Sequence, residues 1–160
     1  MRFMPIAFAA FIATAAGANG QENILARGEY LAKIMDCAGC HMPRGADGVP
    51  LPEAGLSGGT VGFEIPGLGI FWAPNLTPST SGLGGWTDDE ITNAITAGLR
   101  PDGRRLAPAM PWPAYAALEQ YDVAALLAYL RSLPASDAPR IEPVTDASQA
   151  IAPFYRVVLH

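Results

Sequence analysis

Cys37-Ala38-Gly39-Cys40-His41 sets two thiols three positions apart, with an imidazole directly after the second. In an exported chain this spacing points to covalent attachment of a c-type haem. Two cysteines three apart lie on one helical turn, so each can form a thioether to a vinyl group of the same porphyrin. His41 then falls beneath the iron as its proximal ligand. These are the only two cysteines in the chain, which leaves no thiols to complete a four-cysteine zinc or iron–sulfur site. A bare pair of this spacing also suits a structural disulfide, a thioredoxin-like dithiol, or a small copper or zinc site with a distant ligand. The following His, an export signal and a suitably placed distal Met favour haem.

The export signal stands at the N-terminus. Met1 and Arg2 form a short positive region, Phe3 to Ala15 is an apolar run interrupted only by Pro5 and Thr14, and Ala16-Gly17-Ala18 offers a small-x-small cleavage site. This reads as a secretory signal peptide over residues 1–20. A retained anchor is the alternative, but the run is short of the roughly 20 apolar residues a spanning helix wants. Export to the periplasm agrees with haem attachment, which follows translocation while the thiols are kept reduced; a free CxxC there would otherwise tend to oxidise.

The chain has 160 residues, enough for one domain. Its formal charge of −5 becomes more negative once Arg2 leaves. That argues against nucleic acid, where affinity rests on clustered Lys and Arg, and against an anionic membrane surface.

Apolar periodicity predicts a first helix over Ile24 to Met35, with Ile24, Leu25, Gly28, Leu31, Ala32 and Met35 on one face. Gly28 is unfavourable in a helix interior by about 1 kcal/mol relative to Ala, which suggests close approach of another helix, with Tyr30 beside the crossing. Met42 to Pro74 is rich in Gly and Pro and reads as a long loop with room for a short hairpin around Gly59 to Ile70. A loop of that length needs something to organise it, and a porphyrin lying against it would. Thr87-Asp88-Asp89-Glu90 is a capping box that starts a helix with Ile91, Ala94, Ile95 and Leu99 inward, ended by Gly98 and Pro101. After the loop RPDGRRLAPAMPWP, Pro113 opens a short helix through Glu119. A last helix follows over about Asp122 to Ser132, capped by Asp122, with Val123, Leu126, Leu127 and Leu130 as its stripe. Residues 135–160 read as an extension ending in the apolar segment Ile151 to Leu159, draped over a domain of residues 21–134.

A haem held by His41 needs something on its other face, and a thioether there raises the reduction potential. Of the five methionines, Met1 and Met4 belong to the signal, Met42 adjoins His41 and Met35 lies on the first helix. Met110 remains, in a loop held by Pro108, Pro111 and Pro113. A core-filling side chain is the alternative role for a Met so placed. His160 is the other conceivable ligand.

The segments RGEYLAKIMDCAGCH, APNLTPSTSGLGGWTDDEI, LAPAMPWPAYAAL and DVAALLAYLRSLP together resemble class I cytochrome c domains. They are most similar to the haem units in cytochrome subunits of periplasmic, membrane-associated alcohol, aldehyde and sugar-acid dehydrogenases. The resemblance covers residues 22–134. It implies an all-α fold around one covalent haem c, with the first and last helices crossing so that Gly28 and Tyr30 lie near Tyr129. It implies Met110 as the distal ligand, places Asn75, Thr77 and Trp86 in the stretch between the two ligands, and makes Asn75, Arg104 or Arg105 candidates to bond a haem propionate; solvated loop side chains are the alternative. Such subunits often carry three haem units and a C-terminal membrane segment, whereas this chain has one haem motif.

The function expected is one-electron transfer rather than catalysis, as a free carrier or a dehydrogenase subunit. The donor would be a periplasmic dehydrogenase and the acceptor another cytochrome or an oxidase. A haem enzyme or gas sensor with an open sixth position is the second reading, and a haem-free thiol or metal-handling protein the third.

Overall fold

The computed structural model describes residues 16–158, with side chains from residue 23 onward. Most of the expected signal segment, residues 1–15, lies outside the described residues, as does His160.

Helix α1, Ala16–Ile34, starts ahead of the expected Ile24. It crosses a C-terminal helix, Gln120–Ser132, labelled α5 below. Leu31, Ala32, Ala125 and Leu126 are buried between them. The crossing is close because of Gly28, where an added Cβ would stand 2.0 Å from the Ala125 carbonyl oxygen and 2.6 Å from the Tyr129 Cβ. Tyr30 is not among the residues buried there. It is half exposed, with the Arg27 guanidinium 5.6 Å from its ring centroid. Arg27 also makes a two-point ion pair with Asp122, Nε to Oδ1 at 2.9 Å and Nη2 to Oδ2 at 3.1 Å. That pair corrects the assignment of Asp122 as helix cap: Glu119 occupies the cap position without a side-chain bond, and the Asp122 carboxylate is turned to the arginine in the first turn.

α2 is the single turn Cys37–His41. The loop after it is organised largely by its own backbone. Gly58 N–H donates to the His41 carbonyl at 2.8 Å and Leu76 N–H to Leu56 at 2.9 Å, while a Cβ on Gly59 would stand 2.1 Å from the Cys40 carbonyl oxygen. Within this loop, Gly62–Ile65 (β1) and Gly69–Phe71 (β2) pair antiparallel in the register Phe63 to Phe71. Pro66-Gly67 makes the turn, with Gly67 at φ 78°, the left-handed value a Pro-Gly turn requires at its second central residue.

A third strand, Phe154–Tyr155 (β3), adds to β1 in parallel, giving the order β2-β1-β3. The expectation of an all-α fold is therefore corrected: the helices are joined by a small sheet. The unpaired edge of the hairpin takes up backbone groups of the C-terminal segment, which also gives the Pro153 carbonyl to Trp72 Nε1–H at 3.0 Å and bridges Ile70 through Val144. In the apolar end of that segment, Ile151, Tyr155, Val157 and Val158 stay exposed.

α3, Asp88–Ala97, begins as its sequence requires. The Thr87 hydroxyl accepts from Glu90 N–H at 3.2 Å, and the Glu90 carboxylate accepts from Thr87 N–H at 2.7 Å. Gly98, at φ 64°, ends the helix. Leu99 therefore falls beyond it and is 41 % exposed instead of inward-facing. Thr87→Ala is expected to cost about 0.5–2 kcal/mol, read as a lower denaturant midpoint with an unchanged slope. α4 is only Trp112–Tyr115, shorter than the expected run to Glu119, because its continuation tightens into i→i−3 turns at Ala117 and Leu118. Ile91, Ile95 and Leu130 form a second buried cluster with Leu56 and Leu83, joining α3 and α5 to the loop.

No helix among the described residues is long and apolar enough to cross a membrane.

Candidate functional site

One cavity of about 440 Å³ opens between the CAGCH turn, the sheet, α3, α5 and the loop before α4. That is within the roughly 300–1,000 Å³ of small-molecule and cofactor clefts. Cys37, Cys40, His41 and Met110 all line it, against a wall that includes Trp72, Leu83, Trp86, Ile91, Ile95 and Leu126.

His41 is buried, and its Nδ1 lies 2.7 Å from the Pro74 carbonyl oxygen. A carbonyl can only accept, so Nδ1 carries the proton and the lone pair sits on Nε2. Nε2 makes no hydrogen bond among the described residues. Burial pushes the imidazole pKa below its ordinary value, against an opposing rise from the Pro74 bond, so at neutral pH it is a neutral donor. An imidazole oriented through one nitrogen and free at the other is the arrangement expected of a metal ligand.

Both thiols are free. Burial, with a smaller contribution from the Asp36 carboxylate, pushes Cys37 up to about 11 and raises Cys40 as well. A redox-active dithiol depends on a lowered thiol pKa, and this pair has the opposite. The donor set suits a c-type haem: two thiols and an imidazole on one short turn, facing a largely apolar cleft that also holds a thioether.

Met110 sits in a loop pinned at both ends. The Leu99–Arg105 bridge and the Leu106 N–H bond to Gly98 tie its start to the end of α3. Trp112 packs on Gly98, where a Cβ would meet the indole at 2.6 Å, and Tyr115 Oη donates to the Met35 carbonyl at 3.0 Å. Met35, set aside in the sequence, reaches the cavity too, but it packs against the α1–α5 cluster.

The remaining sequence candidates separate. Asn75 and Trp86 line the cavity. Asn75 is buried, and its amide is committed locally: Oδ1 accepts from Thr77 N–H at 2.8 Å and Nδ2 donates to the Ser136 carbonyl at 2.6 Å. Thr77 is outside the lining; its hydroxyl accepts from Ser136 N–H at 3.1 Å. Arg104 and Arg105 line the cavity, and so do Arg100 and Arg140, which sequence reasoning did not single out. Pro74 was missed because its contribution is a backbone carbonyl, for which no side-chain pattern exists.

Comparison with known proteins matches residues 25–134 to the cytochrome c family. The chain is 40% identical over 114 residues to the fructose dehydrogenase cytochrome subunit of Gluconobacter japonicus, covering 71% of this chain and 22% of that protein. It is 36% identical over 122 residues to the gluconate 2-dehydrogenase cytochrome c subunit of Pantoea cypripedii, covering 72% and 25%. It is 34% identical over 113 residues to the cytochrome c subunit of the quinone alcohol dehydrogenase of Gluconobacter oxydans, covering 69% and 22%. The chain thus spans about a quarter or less of the length of these relatives. The matched segment contributes every residue lining the cavity except Arg140, and on that match the chain belongs to the cytochrome c family.

Proposed function

We propose that this chain is a one-electron transfer protein holding a single c-type haem through Cys37 and Cys40, with His41 and Met110 as axial ligands. The observation that carries this reading is the convergence of Cys37, Cys40, His41 and Met110 on one cavity, with the His41 proton held on Nδ1 by the Pro74 carbonyl. A haem bound there supplies the ferrous–ferric couple. The chain's residues do the rest. Pro74 fixes the His41 tautomer, the pinned loop presents Met110, and the apolar wall keeps water away and favours the less charged ferrous state. The domain is residues 21–134 after a signal peptide, with the extension packed on it.

The names of the relatives, cytochrome subunits of dehydrogenases, support a place beside such an enzyme; the signal-peptide reading puts the chain in the periplasm, with that enzyme as donor and another cytochrome or an oxidase as acceptor. The chain itself then catalyses nothing. Expression in a host with cytochrome maturation machinery is expected to give one covalent haem per chain by pyridine haemochrome, and a near-infrared thioether–iron charge-transfer band in the ferric protein. Protein that carries no covalent haem contradicts the reading, and haem without that band leaves the sixth position to a residue other than Met110.

A further inference from the structure

The chain is acidic overall, yet four arginines face one side of its cavity: Arg100, Arg104, Arg105 and Arg140. Two are already engaged. Arg104 gives Nε and Nη2 to Asp102 at 3.1 and 2.7 Å. Arg105 lies 5.4 Å from the Trp112 ring centroid and donates to the Ala97 carbonyl at 3.3 Å.

Arg100 differs. Its side chain is only 14% exposed, and its Nε reaches Asp102 Oδ2 at 3.5 Å, an oxygen that Arg104 already holds. Its Nη atoms have no hydrogen-bond partner among the described residues, and the guanidinium sits 5.2 Å from the Trp86 ring centroid. Arg140 approaches from the extension, beyond the family match, and its Nε is paired at 3.1 Å with Glu142, which is itself mostly exposed. Burial lowers the Arg100 pKa and the nearby Arg140 charge adds to the effect. Arg100, largely buried with one long bond to a shared carboxylate and with a second cation close by, is costly to hold charged unless an anion joins it. The fold nevertheless holds Arg140 in place: the Ser136 carbonyl accepts from Asn75 Nδ2 on one side of it, and Val144 bridges Ile70 on the other.

We propose that Arg100 and Arg140 form a carboxylate-binding subsite of the cavity, and that its ligand is a propionate of the haem. This rests on the haem reading above and moves the anion contact from Arg104 and Arg105, which are exposed and partly engaged, to the more buried Arg100. It also makes the extension part of the site. A planar guanidinium suits a carboxylate through two parallel N–H donors, and Arg140 acts as a positioning and charge-setting residue. The other charged groups facing the pair are Asp102, Arg104, Arg105 and Glu142.

The test is the reduction potential of the holoprotein, followed spectroelectrochemically across pH, in the wild type, Arg140→Gln, Arg140→Lys and the control Arg44→Gln. Arg44 binds the Gly48 carbonyl and does not line the cavity, but its charge reaches Cys40, so its replacement controls for the loss of one cation near the CAGCH turn. Arg140→Gln is expected to lower the potential, because loss of a nearby cation favours the ferric state. It should also move the acidic inflection of the potential upward by about 1–3 pH units, the effect of removing an opposite charge from a carboxylate. Arg140→Lys should recover part of both. If Arg140→Gln matches Arg44→Gln in both readouts, the subsite is overturned while the haem reading stands; absence of covalent haem in the wild type overturns both. A wild-type potential that shifts with added acetate at fixed ionic strength, and no longer does so in Arg140→Gln, assigns the pair to a free carboxylate and overturns the propionate.

Discussion

Met110→Ala is expected to keep the covalent haem and lose its redox character. Cys37, Cys40 and His41 are untouched by the change, so haemochrome yield should hold. The sixth position is then vacant or filled by water. A thioether raises the potential by favouring ferrous iron, so the midpoint should fall by a sizeable part of the roughly 0.8 V that axial ligation spans across haem proteins. The near-infrared band should disappear, and cyanide or imidazole should bind where the wild type resists them. Met35→Leu is the informative companion. Met35 also lines the cavity, but its packing is with the α1–α5 cluster, so its replacement should leave potential and spectrum close to wild type. The reverse outcome, with Met35→Leu abolishing the band and Met110→Ala leaving it, assigns the ligand to the end of α1. The loop geometry favours Met110, since its anchors at Gly98, Ala107 and Trp112 hold the backbone on both sides of the sulfur.

What could be read in the sequence was what neighbours decide. The capping box at Thr87 and Glu90, the stop at Gly98 and the haem motif itself depend on residues a few positions apart, and their chemistry is visible in the letters. Gly28 was legible for a related reason, because an unfavourable residue in a helix interior asks for a compensating contact. Asp122 misled because its carboxylate had two local uses, a cap or an ion pair, and the choice was made by Arg27 on another helix. The third strand stayed hidden because β3 binds β1 through backbone groups far along the chain, with only two residues of strand to announce it. Arg100 and Arg140 escaped notice for the same reason. Nothing near either residue shows that the fold brings them to one wall, whereas the adjacent Arg104 and Arg105, which line the same cavity, drew attention as a pair. Met42 to Pro74 was expected to lean on a porphyrin; Phe63, Phe71 and Trp72 of this loop line the cavity, and hydrogen bonds to the CAGCH turn and its own hairpin add further order that the letters do not show.

Gly28→Ala is expected to be among the most destabilising single-methyl changes in the chain. At an exposed helical site the same substitution stabilises by about 1 kcal/mol, since glycine is the poorer helix former, so packing alone determines a reversed sign here. The new Cβ would meet the Ala125 carbonyl oxygen at 2.0 Å and the Tyr129 Cβ at 2.6 Å. One of these is backbone and the other is the rigid root of a side chain, so neither can swing aside. The helices must separate, which opens the cluster of Leu31, Ala32, Ala125 and Leu126 and stretches the Arg27–Asp122 pair across the same crossing. Overpacking of this kind costs about 1–3 kcal/mol and occasionally more, and contact with backbone places this case at the upper end. A denaturant midpoint well below wild type with an unchanged slope is the expected result. Ala26→Leu, on the exposed side of the same helix, should stay within about 0.5 kcal/mol of wild type. A Gly28→Ala protein as stable as wild type, or more so, would show that the crossing yields easily. Because Cys37 lies three residues beyond the end of α1 and packs against the same cluster, the strained variant should also mature less haem, and the haemochrome yield should fall in step with the midpoint.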